Sequence, residues 1–148
     1  MKKDSSRLLL LDVNVLLALA WPNHQFHAAA TRRLERGRER WATCALTELG
    51  FIRLSSNPAA VAPAKTPAEA AALLSAMTGD PLHVYIEPLS SPTGEECRAG
   101  LSKILGSRKV TDAYLLSLAR RHEAVFVTFD TKLKSLAAAG SQTEILTG

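Results

Sequence analysis

The 148-residue sequence has little of what disulfide-stabilised, zinc-binding or membrane proteins require. Its two cysteines, Cys44 and Cys97, are too few for a disulfide framework, and no paired Cys or His spacing indicates structural zinc. The apolar stretch 8–21 is interrupted by Asp12 and Asn14 and is shorter than the roughly 18 residues that cross a membrane. We therefore expect a protein of the reducing cytoplasm with no membrane association.

The residues that are present describe a folded globule. Hydrophobic residues make up 47% of the chain and charged residues 22%, a balance that excludes disorder. The length predicts a single domain over residues 1–148. The formal net charge of +4 indicates affinity for a polyanion or an acidic partner.

Short apolar runs alternate with helical patterns along the chain. The runs with strand length and composition are residues 7–11, 40–43, 83–86, 124–128 and 143–146. Strands that alternate with helices of ten or more residues predict parallel pairing through crossover helices. The fold class is therefore α/β, and we expect a three-layer α/β/α sandwich around a mainly parallel sheet of about five strands.

Several helix boundaries can be predicted from local signals. Asn23 is the expected cap of a helix that closes at Gly37. Thr66 and Pro67 open a capping box, and Thr93 opens a second one. These signals place the helices between the predicted strands.

Most of the 14 acidic residues need no functional explanation. Glu35 and Glu39, for example, belong to an Arg/Glu run over residues 32–40 that is typical of a solvated helix face. Four carboxylates remain after such residues are set aside, namely Asp12, Glu48, Asp112 and Asp130.

These four carboxylates occupy related places in the predicted fold. Asp12 and Asp130 each follow a strand directly, Asp112 opens a helix, and Glu48 borders the apolar stripe of its own helix. Aspartate at a helix start is often only a cap, so each position alone has a structural explanation. Together they are expected at one rim of the sheet, because sites in such folds lie at the carboxyl ends of the strands.

Carboxylates gathered at one rim repel one another. Two of them about 4 Å apart do so by roughly 4 kcal/mol at an effective dielectric constant near 20. A cation would relieve this repulsion, and oxygen ligands without His or Cys favour Mg²⁺ or Mn²⁺ over zinc. Such ions activate water for attack on phosphodiesters.

The order and spacing of segments 9–17, 47–48, 111–113 and 127–130 resemble those of PIN-domain ribonucleases, and more narrowly of VapC-type toxins. Segment 41–58 is similar to one branch of that family, and the resemblance extends from about Leu8 to Leu146. It implies a metal-binding and catalytic quartet with two polar helpers. The quartet comprises Asp12, Glu48, Asp112 and Asp130, and the helpers are Asn14 and Thr128.

The resemblance also implies a function. VapC-type toxins are Mg²⁺- or Mn²⁺-dependent endoribonucleases that leave a 5′-phosphate and a 3′-hydroxyl, and a VapB-type antitoxin neutralises them. The expected partners are RNA, such an antitoxin and a second copy of the chain. Arg53, Arg108 and Lys109 lie near the quartet in sequence and are candidate RNA contacts.

Two other interpretations fit parts of the sequence. Asp12 could be the covalent nucleophile of a phosphatase-like hydrolase, although Asp12-Val13-Asn14 lacks the second aspartate of such enzymes. Alternatively, the carboxylates could be helix caps in an RNA-binding module without catalytic activity. Metal-dependent RNA cleavage separates the nuclease from the binding module, and trapping of a phosphoaspartate would identify the phosphatase.

Overall fold

The computed structural model describes residues 7–88, 91–104, 106–135 and 142–148. Its sheet has five strands in the order β3-β2-β1-β4-β5, and every neighbouring pair is parallel. The strands are β1 Leu8–Leu11, β2 Arg40–Thr43, β3 His83–Tyr85, β4 Ala124–Thr128 and β5 Thr143–Ile145. The predicted strands and their parallel pairing are confirmed.

Helices cover both faces of the sheet. They are α1 Val13–Ala20, α2 His27–Gly37, α3 Ala45–Ser55, α4 Pro67–Met77, α5 Glu95–Leu101 and α6 Val110–Arg121. One core cluster joins the sheet to α5 and α6, and the other joins it to α1, α2, α3 and α4. This arrangement is the predicted α/β/α sandwich. Across the described ranges, no helix is both long enough and apolar enough to span a membrane.

The alternation of side chains along β1 builds both cores at once. Leu8 and Leu10 point into the α5/α6 layer, whereas Leu9 and Leu11 point into the opposite layer. Leu10 and Leu11 are completely buried. Burial of a leucine side chain contributes about 1.5–3 kcal/mol, so the central strand holds the two layers together.

Two of the three predicted helix starts need revision. The Thr66 capping box is present, with reciprocal hydrogen bonds between Thr66 and Glu69. The prediction that Asn23 caps α2 is wrong, because α2 begins at His27 and the Asn23 amide donates instead to the Ala62 carbonyl. The Thr93 box is also wrong, because Gly94 is the residue that precedes α5. In both places the local turns end later than the sequence signals indicate.

The Arg/Glu run also differs from its interpretation as a solvated face. Arg33 is only 7% exposed, and its guanidinium donates two hydrogen bonds to Glu144, of 2.6 and 2.9 Å, and a third of 2.8 Å to Glu39. These bonds raise the pKa of Arg33 and lower that of Glu144. Glu39 therefore belongs to an internal ion-pair network that ties α2 to β5.

The strand order creates the crevice that holds the site. The chain leaves β1 toward β2 on one side, and β4 pairs with β1 on the other side, so the topology switches direction between β1 and β4. Gly50 brings α3 close to α1 at this end, because a Cβ at Gly50 would lie 2.8 Å from Val13 Cγ2. The first residue of α1 therefore packs against the middle of α3 beside the crevice.

Candidate active site

Asp12 stands at the carboxyl end of β1 and caps the N-terminus of α1. Its Oδ1 accepts a 2.7 Å hydrogen bond from the Val13 N–H, and its Oδ2 accepts one of 2.7 Å from the Thr128 hydroxyl. Only 8% of the residue is exposed. Burial raises the pKa of Asp12, and the charge of Asp130 raises it further, against the two hydrogen bonds. The two hydrogen bonds therefore hold the Asp12 carboxylate in one orientation, although burial of its charge is unfavourable.

The two predicted helpers, Asn14 and Thr128, form one network around Asp12. The Asn14 amide donates to Thr128 Oγ1 at 3.1 Å, and its own oxygen accepts from the Phe129 N–H at 3.2 Å. Thr128 Oγ1 also accepts from the Asp130 N–H at 3.0 Å. The fully buried Thr128 hydroxyl thus joins the first residue beyond β1 to the turn after β4.

Asp130 and Asp112 approach Asp12 from two other elements. Asp130 follows β4, and its Oδ1 accepts from the Lys132 N–H at 2.9 Å at the start of a short 3-10 helix, Thr131–Ser135. Asp112 lies in the first turn of α6. Burial raises the pKa of Asp112 to about 6, with further contributions from the charges of Asp12 and Asp130, while Lys109 opposes the rise. The three aspartates therefore interact electrostatically.

Glu48, in the first turn of α3, interacts with a different part of the rim. The Thr43 hydroxyl at the end of β2 donates to Glu48 Oε2 at 2.6 Å, and Thr43 Oγ1 also lies 2.8 Å from His83 Nε2. Burial lowers the pKa of His83, and the charges of Glu48 and Asp80 act against this shift. Thr43 and His83 were not among the site residues predicted from the sequence. One signal could have pointed to Thr43, since β2 ends in a threonine just as β4 ends in the predicted helper Thr128.

The three basic candidates differ in their contacts and exposure. Lys109 caps α6, its charge acts on Asp112, and its ammonium donates to the Lys132 carbonyl at 3.0 Å. Arg108 is exposed in the preceding loop, and Arg53 is exposed in the last turn of α3. Of the three, Lys109 is thus the one whose charge acts on an acidic residue of the site, Asp112.

The donor chemistry of this rim fits a divalent cation. Asp12, Asp112 and Asp130 offer hard oxygen atoms, and the pKa of Asp112 is raised by burial and by the charges of the other two aspartates. Within the described ranges, no three His, Cys, Asp or Glu side chains are drawn together closely enough to form a metal cage by themselves. A cation would offset the repulsion among the carboxylates.

Replacing Asp112 by asparagine is expected to stabilise the metal-free protein. The raised pKa means that the folded state takes up a proton more readily than the unfolded chain, so stability falls as pH rises from the ordinary value of 3.8 to about 6. Above that window, Asp112→Asn should gain about 1 kcal/mol, after allowance for the water that reaches a half-buried group.

Thermal unfolding in a chelator at pH 4.5 and pH 7.5 measures this effect. Glu95→Gln, at an exposed position in the first turn of α5, serves as the control and should change little at either pH. A variant that is less stable than wild type at pH 7.5 would contradict the repulsion argument.

The fold and the acidic crevice define a class of protein. A family model described as the PIN domain matches residues 9–139. Ribonuclease VapC39 of Mycobacterium tuberculosis is 42% identical over 132 residues, which cover 88% of this chain and 94% of that protein. The chain belongs to the PIN-domain family, and within that family to the VapC ribonucleases. The resemblance predicted from the sequence is confirmed.

Solved structures share the fold at low sequence identity. VapC20 of Mycobacterium tuberculosis, described as a sarcin-ricin loop cleaving toxin, has a TM-score of 0.65 at 13% identity, covering 94% of this chain and 99% of that one. VapBC2 of Rickettsia felis, solved bound to a DNA fragment from its promoter, has a TM-score of 0.63 at 12% identity and covers 95% and 99%. Both comparisons concern the fold alone.

Proposed function

We propose that this chain is a divalent-metal-dependent endoribonuclease toxin that hydrolyses RNA phosphodiester bonds and is neutralised by a VapB-type antitoxin. The observation that carries the proposal is that Asp12 and Asp130 follow adjacent strands at one end of the sheet and share the Thr128 hydroxyl, with Asp112 near enough for their charges to raise its pKa. Family membership supplies the reaction class and makes a phosphoaspartate mechanism the weaker alternative.

The quartet would share the work of holding Mg²⁺ or Mn²⁺. Asp12, Asp112 and Asp130 would bind it from the β1/β4 crevice, and Glu48 from the start of α3. A divalent cation there would lower the pKa of an attacking water and neutralise charge on the phosphate and the leaving oxygen. Asn14 and Thr128 keep Asp12 in its orientation through the hydrogen bonds described above.

The basic residues would bind the RNA backbone. Arg53 lies one helical turn beyond Glu48, while Arg108 and Lys109 precede the turn that carries Asp112. Their charges would hold phosphates on either side of the cleaved bond. Substitution of one of these residues should therefore weaken RNA binding and make it less dependent on salt concentration than that of wild type, because fewer counterions are released on binding.

An apolar cavity beside the crevice supports the antitoxin proposal. It has a volume of about 420 Å³, and Leu46, Leu49, Val110 and Tyr114 are among its lining residues. Leu49 is 61% exposed and Val110 45%. A partner segment with apolar side chains and one cationic side chain would fill the cavity and reach the carboxylates.

We also propose that the chain is one domain over residues 1–148, forms a homodimer and acts in the cytoplasm.

Sequencing RNA ends after incubation with the purified protein and Mn²⁺ tests the proposed function. New 5′-phosphate ends should appear with wild type and disappear in the presence of a chelator. Binding of RNA without new ends would favour the non-catalytic module. Recovery of a phosphoaspartate at Asp12 would instead establish the phosphatase-like alternative.

Divalent metal is expected to stabilise the fold. A ligand that binds only the native state adds roughly 2.7 kcal/mol at a hundredfold excess over its dissociation constant. For a chain of this size that gain corresponds to a rise of about 5–10 °C in melting temperature. The measurement is thermal unfolding of wild type with increasing Mn²⁺ or Mg²⁺, and Asp12→Asn/Asp112→Asn is the control. An equal rise in the double variant would remove the metal site from the proposal.

A further inference from the structure

Three side chains form a directed hydrogen-bond chain from β3 to α3. Thr43 Oγ1 lies 2.6 Å from Glu48 Oε2 and 2.8 Å from His83 Nε2. An ionised Glu48 can only accept, so the single hydroxyl proton of Thr43 is donated to it. The Thr43 oxygen then accepts, which requires a proton on His83 Nε2. The direction of both hydrogen bonds follows from this single proton.

The imidazole at the start of this chain is held by its surroundings. His83 pairs with Trp41 in the β2/β3 register, and the two rings lie 4.7 Å apart with a tilt of 59°. The Trp41 indole N–H donates to Asp80 Oδ2 at 3.0 Å, and the His83 backbone N–H donates to the Asp80 carbonyl at 2.9 Å. Thr43, the central member, has no exposed surface. The His83 ring therefore cannot turn away from Thr43 without losing its contact with the Trp41 ring.

We infer that His83 is a positioning residue for Glu48, acting through Thr43, and so determines how tightly the acidic rim binds a divalent cation. The inference rests on the proposed function, in which Glu48 is a metal ligand. Thr43 donates to Oε2, so Oε1 is the oxygen through which Glu48 would bind the cation. A carboxylate that is already ordered loses less conformational freedom when the cation binds.

Calorimetric titration with Mn²⁺ alone tests this role. His83→Phe keeps a ring against Trp41 but removes the N–H, and Thr43→Val removes the hydroxyl with little change in shape. Each should weaken Mn²⁺ binding about tenfold or more, the range typical of residues that orient metal ligands. His83→Gln and Thr43→Ser retain a donor and should stay within about threefold of wild type. His122→Phe, at an exposed histidine beyond α6, is the matched control and should bind as wild type does.

The double variant separates positioning from general packing. Because the imidazole acts only through the hydroxyl, His83→Phe should have no further effect on Mn²⁺ binding in the Thr43→Val background. Additive losses would overturn the inference. The inference would also be overturned if His83→Phe bound Mn²⁺ as tightly as wild type while Asp12→Asn had lost Mn²⁺ binding. If Asp12→Asn binds Mn²⁺ as tightly as wild type, the proposed metal site fails and the inference fails with it.

A spectroscopic measurement on the metal-free wild type covers the case in which His83→Phe does not fold. Nitrogen-15 NMR of the histidine rings reports which nitrogen carries the proton. We expect Nε2 of His83 to be protonated and its proton to exchange slowly. A neutral ring with its proton on Nδ1 would reverse the hydrogen bond and overturn the inference.

Discussion

Asp12→Asn is expected to lower RNA cleavage at fixed Mn²⁺ by at least about a hundredfold, a loss of roughly 2.7 kcal/mol in transition-state stabilisation. A neutral amide binds a divalent cation more weakly than a carboxylate does and positions it less well. Because Asp12 is buried in a fixed orientation, no neighbouring side chain can replace it without disturbing the Thr128 network.

The fold should tolerate this substitution. Asparagine caps a helix about as well as aspartate and keeps one oxygen for the Val13 N–H. Its NH₂ group would face Thr128, which already accepts two hydrogen bonds, so one favourable contact is weakened while a buried charge is removed. We expect the free energy of unfolding to change by less than about 1 kcal/mol.

A panel of folded variants makes the comparison decisive. Glu48→Gln, Asp112→Asn and Asp130→Asn should lose cleavage as Asp12→Asn does, whereas Glu35→Gln and Glu95→Gln should cleave as wild type does. Both control positions are exposed. Wild-type cleavage by Asp12→Asn would show that the assignment of the active site is wrong.

Arg33→Met is expected to lower the free energy of unfolding by about 3 kcal/mol, the largest loss among the variants proposed. The substitution leaves Glu39 and Glu144 facing each other with their shared cation removed, and the Glu39 side chain is only 12% exposed. Because Arg33 lowers the pKa of Glu144, its contribution is present at neutral pH and is lost as pH falls through the folded pKa of that group.

Arg36→Met, on the same helix, is the matched control. Arg36 also approaches Glu144, but at 4.0 Å and with 72% of its side chain exposed, so its removal should cost little. Urea unfolding at pH 7 compares the two variants. Equal stability of Arg33→Met and Arg36→Met would show that the buried network contributes no more than a surface ion pair.

Local signals in the sequence were sufficient to predict the strands. The apolar runs predicted all five strands, because short runs of β-branched and aliphatic residues bounded by turn residues favour strands. The starts of α2 and α5 were missed because hydrogen bonds to Ala62 and a turn before Gly94 competed with the caps at Asn23 and Thr93. A capping motif reports what is possible locally, and tertiary contacts decide whether it forms.

The sequence by itself determined that Asp12 and Asp130 lie just beyond the carboxyl ends of two strands, since each residue follows its own apolar run. Only the tertiary structure decided which side chains hold these groups. Asn14 bonds to a threonine 114 residues away, and Arg33 to a glutamate 111 residues away. Likewise, the Thr43 hydroxyl lies between Glu48 and His83 because β2 and β3 pair in one register. Periodicity specifies the face on which a side chain lies, whereas its partner depends on strand order and on the packing of distant elements.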